Sequence, residues 1–231
     1  MSVFRFKEFN IIQEKSAMKV GTDGVLLGSW VSCKKLKNIL DIGCGTGLIT
    51  LILAQRNNKS NIIGIEIDKI ASQEAQLNII NSDWKERIEI KNTSLQKFNT
   101  KTRFDLIVSN PPFFPNNKSQ QRRDIARRAN KLSFEELIKN TSGLLAEKGT
   151  FSVIIPKDSE GYFCKIAASN RLYVNRVCYI KGNETSEVKR VMLEFSFIKS
   201  EVIEEQLTIE KSRHKYTDKY IQLCKDFYLK M

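Results

Sequence analysis

Three short stretches of the chain combine residue types and spacings that can do chemistry. The first is Asp41-Ile42-Gly43-Cys44-Gly45-Thr46-Gly47. Glycines at that density let a backbone take positive φ and come close to a ligand. The spacing is Gly-x-Gly-x-Gly behind an acid. A dinucleotide fingerprint needs glycine at 48, where this chain has Leu48, and no Gly-Lys-Ser or Gly-Lys-Thr follows to make a phosphate loop. The second is Glu66, closing an apolar run, where a carboxylate can accept hydrogen bonds from both hydroxyls of a ribose. The third is Asn110-Pro111-Pro112-Phe113. An exocyclic amine on adenine is a poor nucleophile, because its lone pair is delocalised into the ring. The Asn110 amide oxygen and the Pro111 carbonyl can each accept one of its N–H groups and steer the nitrogen toward tetrahedral geometry. Two prolines stiffen the loop and remove competing donors. Phe113 can stack on the base, a contact worth ~1–3 kcal/mol in single-strand recognition. The one histidine, His214, lies far from all three stretches and reads as a surface residue.

These residues need strands and helices to bring them together. Residues 38–42 (NILDI) form a short apolar strand that runs into the glycine turn, and 46–57 have the apolar spacing of a helix. Strands are predicted at 62–67, 88–92, 104–109 and 150–155, with helices at 69–82 and 160–170. Ser133 and Glu136 form a capping box ahead of a helix carrying Leu137, Ile138, Leu144 and Leu145. Two longer β runs follow, 172–181 and 188–198, the second alternating Val191, Leu193, Phe195 and Phe197. The connection between them is too short for a crossover, so they pair antiparallel. A last helix is predicted at 217–229. Five β–α units and a hairpin give an α/β doubly wound, mostly parallel sheet of seven strands, with helices on both faces. Ligands bind such sheets at the carboxyl ends of the strands, where all three chemical stretches fall.

The chain has 231 residues, 41% of them hydrophobic and 28% charged, which is ordinary globular usage and suits one domain. No apolar stretch reaches the ~20 residues of a membrane helix. The opening residues are charged from Arg5 and lack the apolar region of a signal peptide. The five cysteines are scattered without a CxxC pair and read as reduced thiols, so a cytoplasmic location is expected. The net charge of +12 suits a polyanionic partner, although lysine and asparagine richness also arises from coding bias. The arginines are more pointed: Arg122, Arg123, Arg127 and Arg128 cluster behind the Asn-Pro-Pro-Phe loop. With Lys118 they form a basic segment able to grip phosphates. Before the first strand, Lys19-Val20-Gly21-Thr22-Asp23-Gly24 leads into a helix that Thr22 or Asp23 can cap.

The glycine turn with Glu66 resembles the Rossmann-like, class I S-adenosylmethionine-dependent methyltransferases over roughly residues 20–198. The resemblance implies that Asp41, Gly43, Gly45 and Gly47 hold the methionine part of the cofactor, that Glu66 holds its ribose and that Ile67 packs on its adenine. Thr22 is implied as a further contact from the covering segment. Such families often carry an acid after the third strand; here Asn92-Thr93-Ser94 stands there, and Ser94 is the expected substitute. Asn-Pro-Pro-Phe resembles amino-methyltransferases acting on planar nitrogen, with Asn110, Pro111 and Phe113 at the reacting amine and Asn110 beside the cofactor. The head segment, the two loops with their trailing arginines and the YTDKY…DFYL tail together resemble the bacterial tRNA1(Val) adenine-N6 methyltransferase family over almost the whole chain. That resemblance implies methylation of the adenosine 3′ of the anticodon, tRNA as partner, no metal and no membrane. A monomer is expected. The chain then divides into a cover (1–37), a catalytic core (38–198) and a C-terminal extension (199–231) of one methyltransferase domain. Alternatives are a guanine-N2 rRNA methyltransferase, a protein-glutamine methyltransferase, and an RNA-binding module without catalysis.

Overall fold

The computed structural model describes residues 2–33, 35–112 and 132–231. Its centre is a nine-stranded sheet built on β3 (Asn38–Ile42), β4 (Asn61–Glu66), β5 (Ile88–Asn92), β6 (Phe104–Ser109) and β7 (Leu145–Pro156). These five run parallel in the order β5-β4-β3-β6-β7. β9 (Val188–Ser196) lies antiparallel between β7 and β8 (Tyr173–Asn183), as the short connection requires. These are the seven strands expected from the sequence. The sheet then continues past β8 with β10 (Ile203–Ser212), parallel to it, and β11 (Lys215–Tyr216). The seven-strand count is therefore corrected to nine. A separate hairpin joins β1 (Val3–Arg5) to β2 (Asn10–Ile12).

Strand alternation sorts the core into two faces. On β3, Ile39 joins one apolar cluster while Leu40 and Ile42 join the other. On β9, Met192 opposes Val191, Leu193 and Phe195 in the same way. The first face is covered by α1 (Thr22–Trp30), α2 (Leu48–Arg56), α3 (Lys69–Ile80) and α6 (Asp218–Cys224). The second is covered by α4 (Phe134–Leu144) and α5 (Glu160–Ser169). The capping box at α4 is present: Ser133 accepts from the Glu136 N–H at 3.2 Å, and Glu136 accepts from the Ser133 N–H at 3.1 Å. An N-cap of this kind is worth about 1 kcal/mol.

Two features fix α1, which leads toward the site. A Cβ at Gly28 would stand 2.9 Å from Ile52 Cγ2, so glycine allows α1 to close on α2. Arg56, at the end of α2, donates to the Gly28 carbonyl at 2.6 Å and the Val31 carbonyl at 2.8 Å, satisfying the open end of α1. The cap foreseen at its start is absent: the N-cap is Gly21, with no side-chain hydrogen bond, and Thr22 and Asp23 lie inside the first turn. Asp23 is drawn instead to Arg190, Nε to Oδ2 2.9 Å.

β10 joins the sheet through partners distant in sequence. Glu205 accepts from Trp30 Nε1 at 2.6 Å and from Arg176 Nη2 at 3.1 Å, and the Arg176 guanidinium stacks over the Trp30 ring at 4.1 Å. The tail is shorter than the helix expected at 217–229. Thr217 caps α6 through the Tyr220 N–H at 3.2 Å, and the helix stops at Cys224. Beyond it the N-terminal hairpin captures the chain: the Lys7 N–H donates to Phe227 O at 2.8 Å, and Phe6 bridges Tyr228.

Candidate active site

Parallel register brings the three chemical stretches to one end of the sheet. Ile42, the last residue of β3, pairs with Ser109 on β6 and with Ile65 on β4. One residue further along each strand stand Gly43, Asn110 and Glu66. The Ser109 hydroxyl donates to Ile42 O at 3.0 Å, tying the start of the Asn-Pro-Pro loop to the strand that carries the glycine turn.

The turn is left-handed at all three glycines, with φ of 70° at Gly43, 56° at Gly45 and 86° at Gly47. A side chain there costs roughly 1–2 kcal/mol. A Cβ on Gly43 or Gly45 would meet nothing within 4 Å, so the turn faces open space. Glu66 braces it. One carboxylate oxygen accepts from the Gly45 N–H at 2.9 Å and the other from the Asp68 N–H at 2.8 Å. A carboxylate offers about four acceptor directions, so two remain. Ile67 follows with 58% of its surface exposed, an apolar side chain set at the mouth. Asn92 closes the same corner by donating to the Glu66 and Ile67 carbonyls at 2.8 and 3.1 Å. Ser94 is half-buried and heads a short 3₁₀ turn at Leu95–Lys97 without its hydroxyl capping it.

Asp41 sits behind the turn, not at its mouth. The alternation that turns Ile39 toward α2 does the same for Asp41, and its carboxylate is wholly buried. Oδ2 accepts from the Thr50 hydroxyl at 2.7 Å; Oδ1 has no partner among the described residues. Burial pushes this carboxyl from its ordinary value of 3.8 up to about 7, against the lowering effect of the Thr50 hydrogen bonds, with Glu66 adding to the rise. Cys44 points inward to the core and its thiol is likewise pushed well up by burial.

Asn110 is half-buried and its side chain forms no hydrogen bond with a described residue; Pro111 is buried and Pro112 exposed. Phe113, Lys118, Arg122, Arg123, Arg127 and Arg128 lie outside the described residues. Thr22 lines a cavity with Phe4, Tyr216, Tyr220 and Tyr228, and none of the three glycines borders it. His214 lies at the tip of the β10–β11 hairpin, at the edge of the sheet, where β10 is four places from β6.

Two site residues escaped the sequence reading. On α3, Asn78 and Glu74 stand one turn apart beside the apolar positions Ala71, Ala75 and Ile79. Asn78 is buried; it accepts from the Ile12 N–H at 2.8 Å and donates to Ile12 O at 3.0 Å and Thr46 O at 2.9 Å. Glu74 accepts from the Lys15 N–H at 2.7 Å, the Ser16 N–H at 3.0 Å and the Ser16 hydroxyl. Burial works to raise the Glu74 pKa, but these donors hold it below its ordinary value. Gln13 closes the same strap by accepting from the Val20 N–H at 2.6 Å. The strap from Ile12 to Val20 is thus bound to α3, and through Asn78 to the glycine turn. Polar residues at i and i+4 flanking an apolar helix face were the available signal.

Known proteins show the family. The profile of the methyltransferase small domain family matches residues 16–169. A Bacteroides fragilis protein named tRNA1(Val) (adenine(37)-N6)-methyltransferase is 45% identical, covering 99% of this chain and 98% of its own length. The chain belongs to that family. A Flavobacterium psychrophilum member of the same name is 45% identical over 99% of this chain and all of its own length. A third, from Pseudoalteromonas translucida, is 41% identical over the full length of both. Among solved structures, a predicted O-methyltransferase from Agrobacterium tumefaciens superposes with a TM-score of 0.69 at 19% identity, covering 89% of this chain and 96% of that one. The methyltransferase subunit of a Streptococcus thermophilus type I restriction-modification system gives 0.63 at 15%, covering 91% and 52%. These two carry the class I methyltransferase fold alone. No helix among the described residues of this tRNA methyltransferase family member is long and apolar enough to cross a membrane.

Proposed function

We propose that the chain methylates the exocyclic N6 of the adenosine immediately 3′ of the anticodon in tRNA1(Val), with S-adenosylmethionine as methyl donor, in the cytoplasm. One observation carries the assignment of the site: β6 delivers Asn110 one register step beyond the Ser109–Ile42 pair, beside the glycine turn. The named relatives support the choice of adenine over guanine-N2 or a glutamine amide.

The residues present fit the cofactor. Space lies open in front of Gly43 and Gly45, Glu66 keeps two acceptor directions for ribose hydroxyls, and Ile67 offers an apolar face for an adenine ring. The unpartnered Oδ1 of Asp41 places a buried acid behind the turn, suited to a ligand that brings positive charge. Bound there, S-adenosylmethionine supplies a methyl group made electrophilic by a sulfonium. The chain's part is to hold the amine. The Asn110 amide oxygen and the Pro111 carbonyl accept its two N–H groups, and the rigid Pro111-Pro112 pair keeps those acceptors in place. Phe113 stacks on the base, and Lys118 with Arg122, Arg123, Arg127 and Arg128 holds RNA phosphates. Thr22 and Ser94 complete the cofactor's surroundings.

The test is incubation of the purified chain with labelled cofactor and total RNA from cells lacking it, followed by nucleoside analysis. N6-methyladenosine in the anticodon-loop fragment of a valine tRNA is expected. Label on guanine-N2, or on a protein glutamine and not on RNA, would overturn the substrate.

A further inference from the structure

Of the cavity that Thr22 shares with the tyrosines, only Thr22 has a part in the function proposed above; the aromatic side chains have none. The cavity measures about 240 Å³ and is walled by Phe4, Thr22, Tyr216, Tyr220 and Tyr228, with Lys230 at its edge. That is below the ~300–1,000 Å³ of sites for drug-sized ligands, and on the scale of one planar ring system. Its walls are aromatic on two sides: Tyr216 and Tyr220 are 5.1 Å apart between ring centroids, and Tyr228 meets Phe4 edge-on at 6.3 Å. Tyr216 is half-buried.

Topology puts this cavity on the same side of the molecule as Asn110. β8 and β10 are parallel to each other, and β9 is antiparallel to both β7 and β8, so β10 runs in the direction of β3 and β6. The β10–β11 hairpin, with Tyr216 just behind its tip, therefore lies at the carboxyl end of the sheet. α1 begins there too: Arg190, opposite Pro156 at the end of β7, holds Asp23 in its first turn. The hairpin tip is basic. Between Lys211 and the last residue the chain has six lysines and arginines against two aspartates. Lys211 is engaged by Asp218 at 3.1 Å, but the exposed Arg213 and Lys215 form no ion pair among the described residues. His214 between them holds a left-handed φ of 62°, a backbone state that side-chain-bearing residues adopt at a cost.

We propose that this cavity and hairpin form a second RNA-binding site, taking an unstacked base of the tRNA other than the target adenosine against the half-buried ring of Tyr216, while Arg213 and Lys215 hold the flanking phosphates. The inference rests on the tRNA reading above. Aromatic walls that take any base face, rimmed by unpaired cations, match the requirements of single-stranded RNA and not those of an acidic protein, which has no ring to insert.

Filter binding of tRNA over a series of salt concentrations tests it, with calorimetric cofactor affinity and single-turnover methylation at saturating tRNA measured alongside. Tyr216→Ala is expected to weaken tRNA binding by roughly 5- to 150-fold, the range of one base–aromatic stack. Tyr216→Phe keeps the ring and should stay within about twofold. Because Tyr216→Ala can disturb packing, Arg213→Glu with Lys215→Glu at the exposed tip provides the second arm. It should weaken binding and flatten the salt slope by about 0.7 per lost contact. Cofactor affinity and saturated turnover should hold in every variant. Wild-type protein that methylates tRNA, with both arms binding tRNA as tightly as it does, overturns this site alone. Lost cofactor affinity in Tyr216→Ala also overturns it, by assigning the cavity to the cofactor. A wild type that binds no tRNA overturns this inference together with the tRNA reading.

Discussion

Replacing Asp41 by asparagine should make the cofactor-free protein more stable and less dependent on pH, while weakening cofactor binding. The wild-type carboxyl is fully buried, and its pKa stands at about 7 where an unfolded chain would have 3.8. The folded state therefore binds the proton more tightly than the unfolded state. The associated stability is complete below the unfolded value and is lost as pH rises through about 7. A shift of about three units at 1.36 kcal/mol each amounts to ~4 kcal/mol, lost across the window from pH 4 to pH 7. Asparagine keeps an acceptor for the Thr50 hydroxyl and has no charge to desolvate. Urea midpoints measured from pH 5 to pH 8 should diverge with rising pH, the variant becoming the more stable by up to ~4 kcal/mol, less whatever its buried NH₂ costs. In the wild type, cofactor binding should release a proton, seen as a buffer-dependent heat below pH 7. Parallel midpoint profiles for the two proteins would refute the reasoning, because the buried carboxyl would then titrate normally.

Asn78→Ala leaves the Ile12 and Thr46 backbone groups without their partner. It should cost about 1–3 kcal/mol in stability, expose the Lys15–Lys19 region to trypsin and weaken cofactor binding, as proteolysis with and without cofactor will reveal. Glu66→Ala removes both the brace on Gly45 and the ribose acceptors, a loss of ~1.5–3 kcal/mol in cofactor affinity by calorimetry. Alanine at Arg122, Arg123, Arg127 and Arg128 together should flatten the salt dependence of tRNA binding by about 0.7 for each true phosphate contact; an unchanged slope removes the cluster from the interface.

What the sequence revealed was what local patterns encode. The glycine spacing, the acid at the end of 62–67, the Ser133–Glu136 box and the alternation of Val191, Leu193 and Phe195 each act within a few residues, and each stands where it was expected. What stayed hidden depends on distant partners. IEEQLTIEKS is too charged to read as a strand, and becomes β10 because Trp30 and Arg176 meet Glu205. The tail helix ends early because the hairpin at the other end of the chain captures Phe227. Asp41 was expected to hold part of the cofactor; that its carboxylate is buried against Thr50 follows from strand parity, which the spacing of the glycine turn does not announce. The strap's attachment through Glu74 and Asn78 joins residues about 60 positions apart, which no local spacing announces.

Single-turnover methylation of tRNA by Asn110→Ala, at saturating tRNA and cofactor, tests the central claim most directly. If Asn110 holds the reacting amine, the rate of N6-methyladenosine formation should collapse while cofactor affinity, tRNA affinity and thermal stability stay near wild type, because the lost contact acts in the transition state. An alanine variant that forms N6-methyladenosine at close to the wild-type rate would contradict the account, and would move the chemistry away from the end of β6.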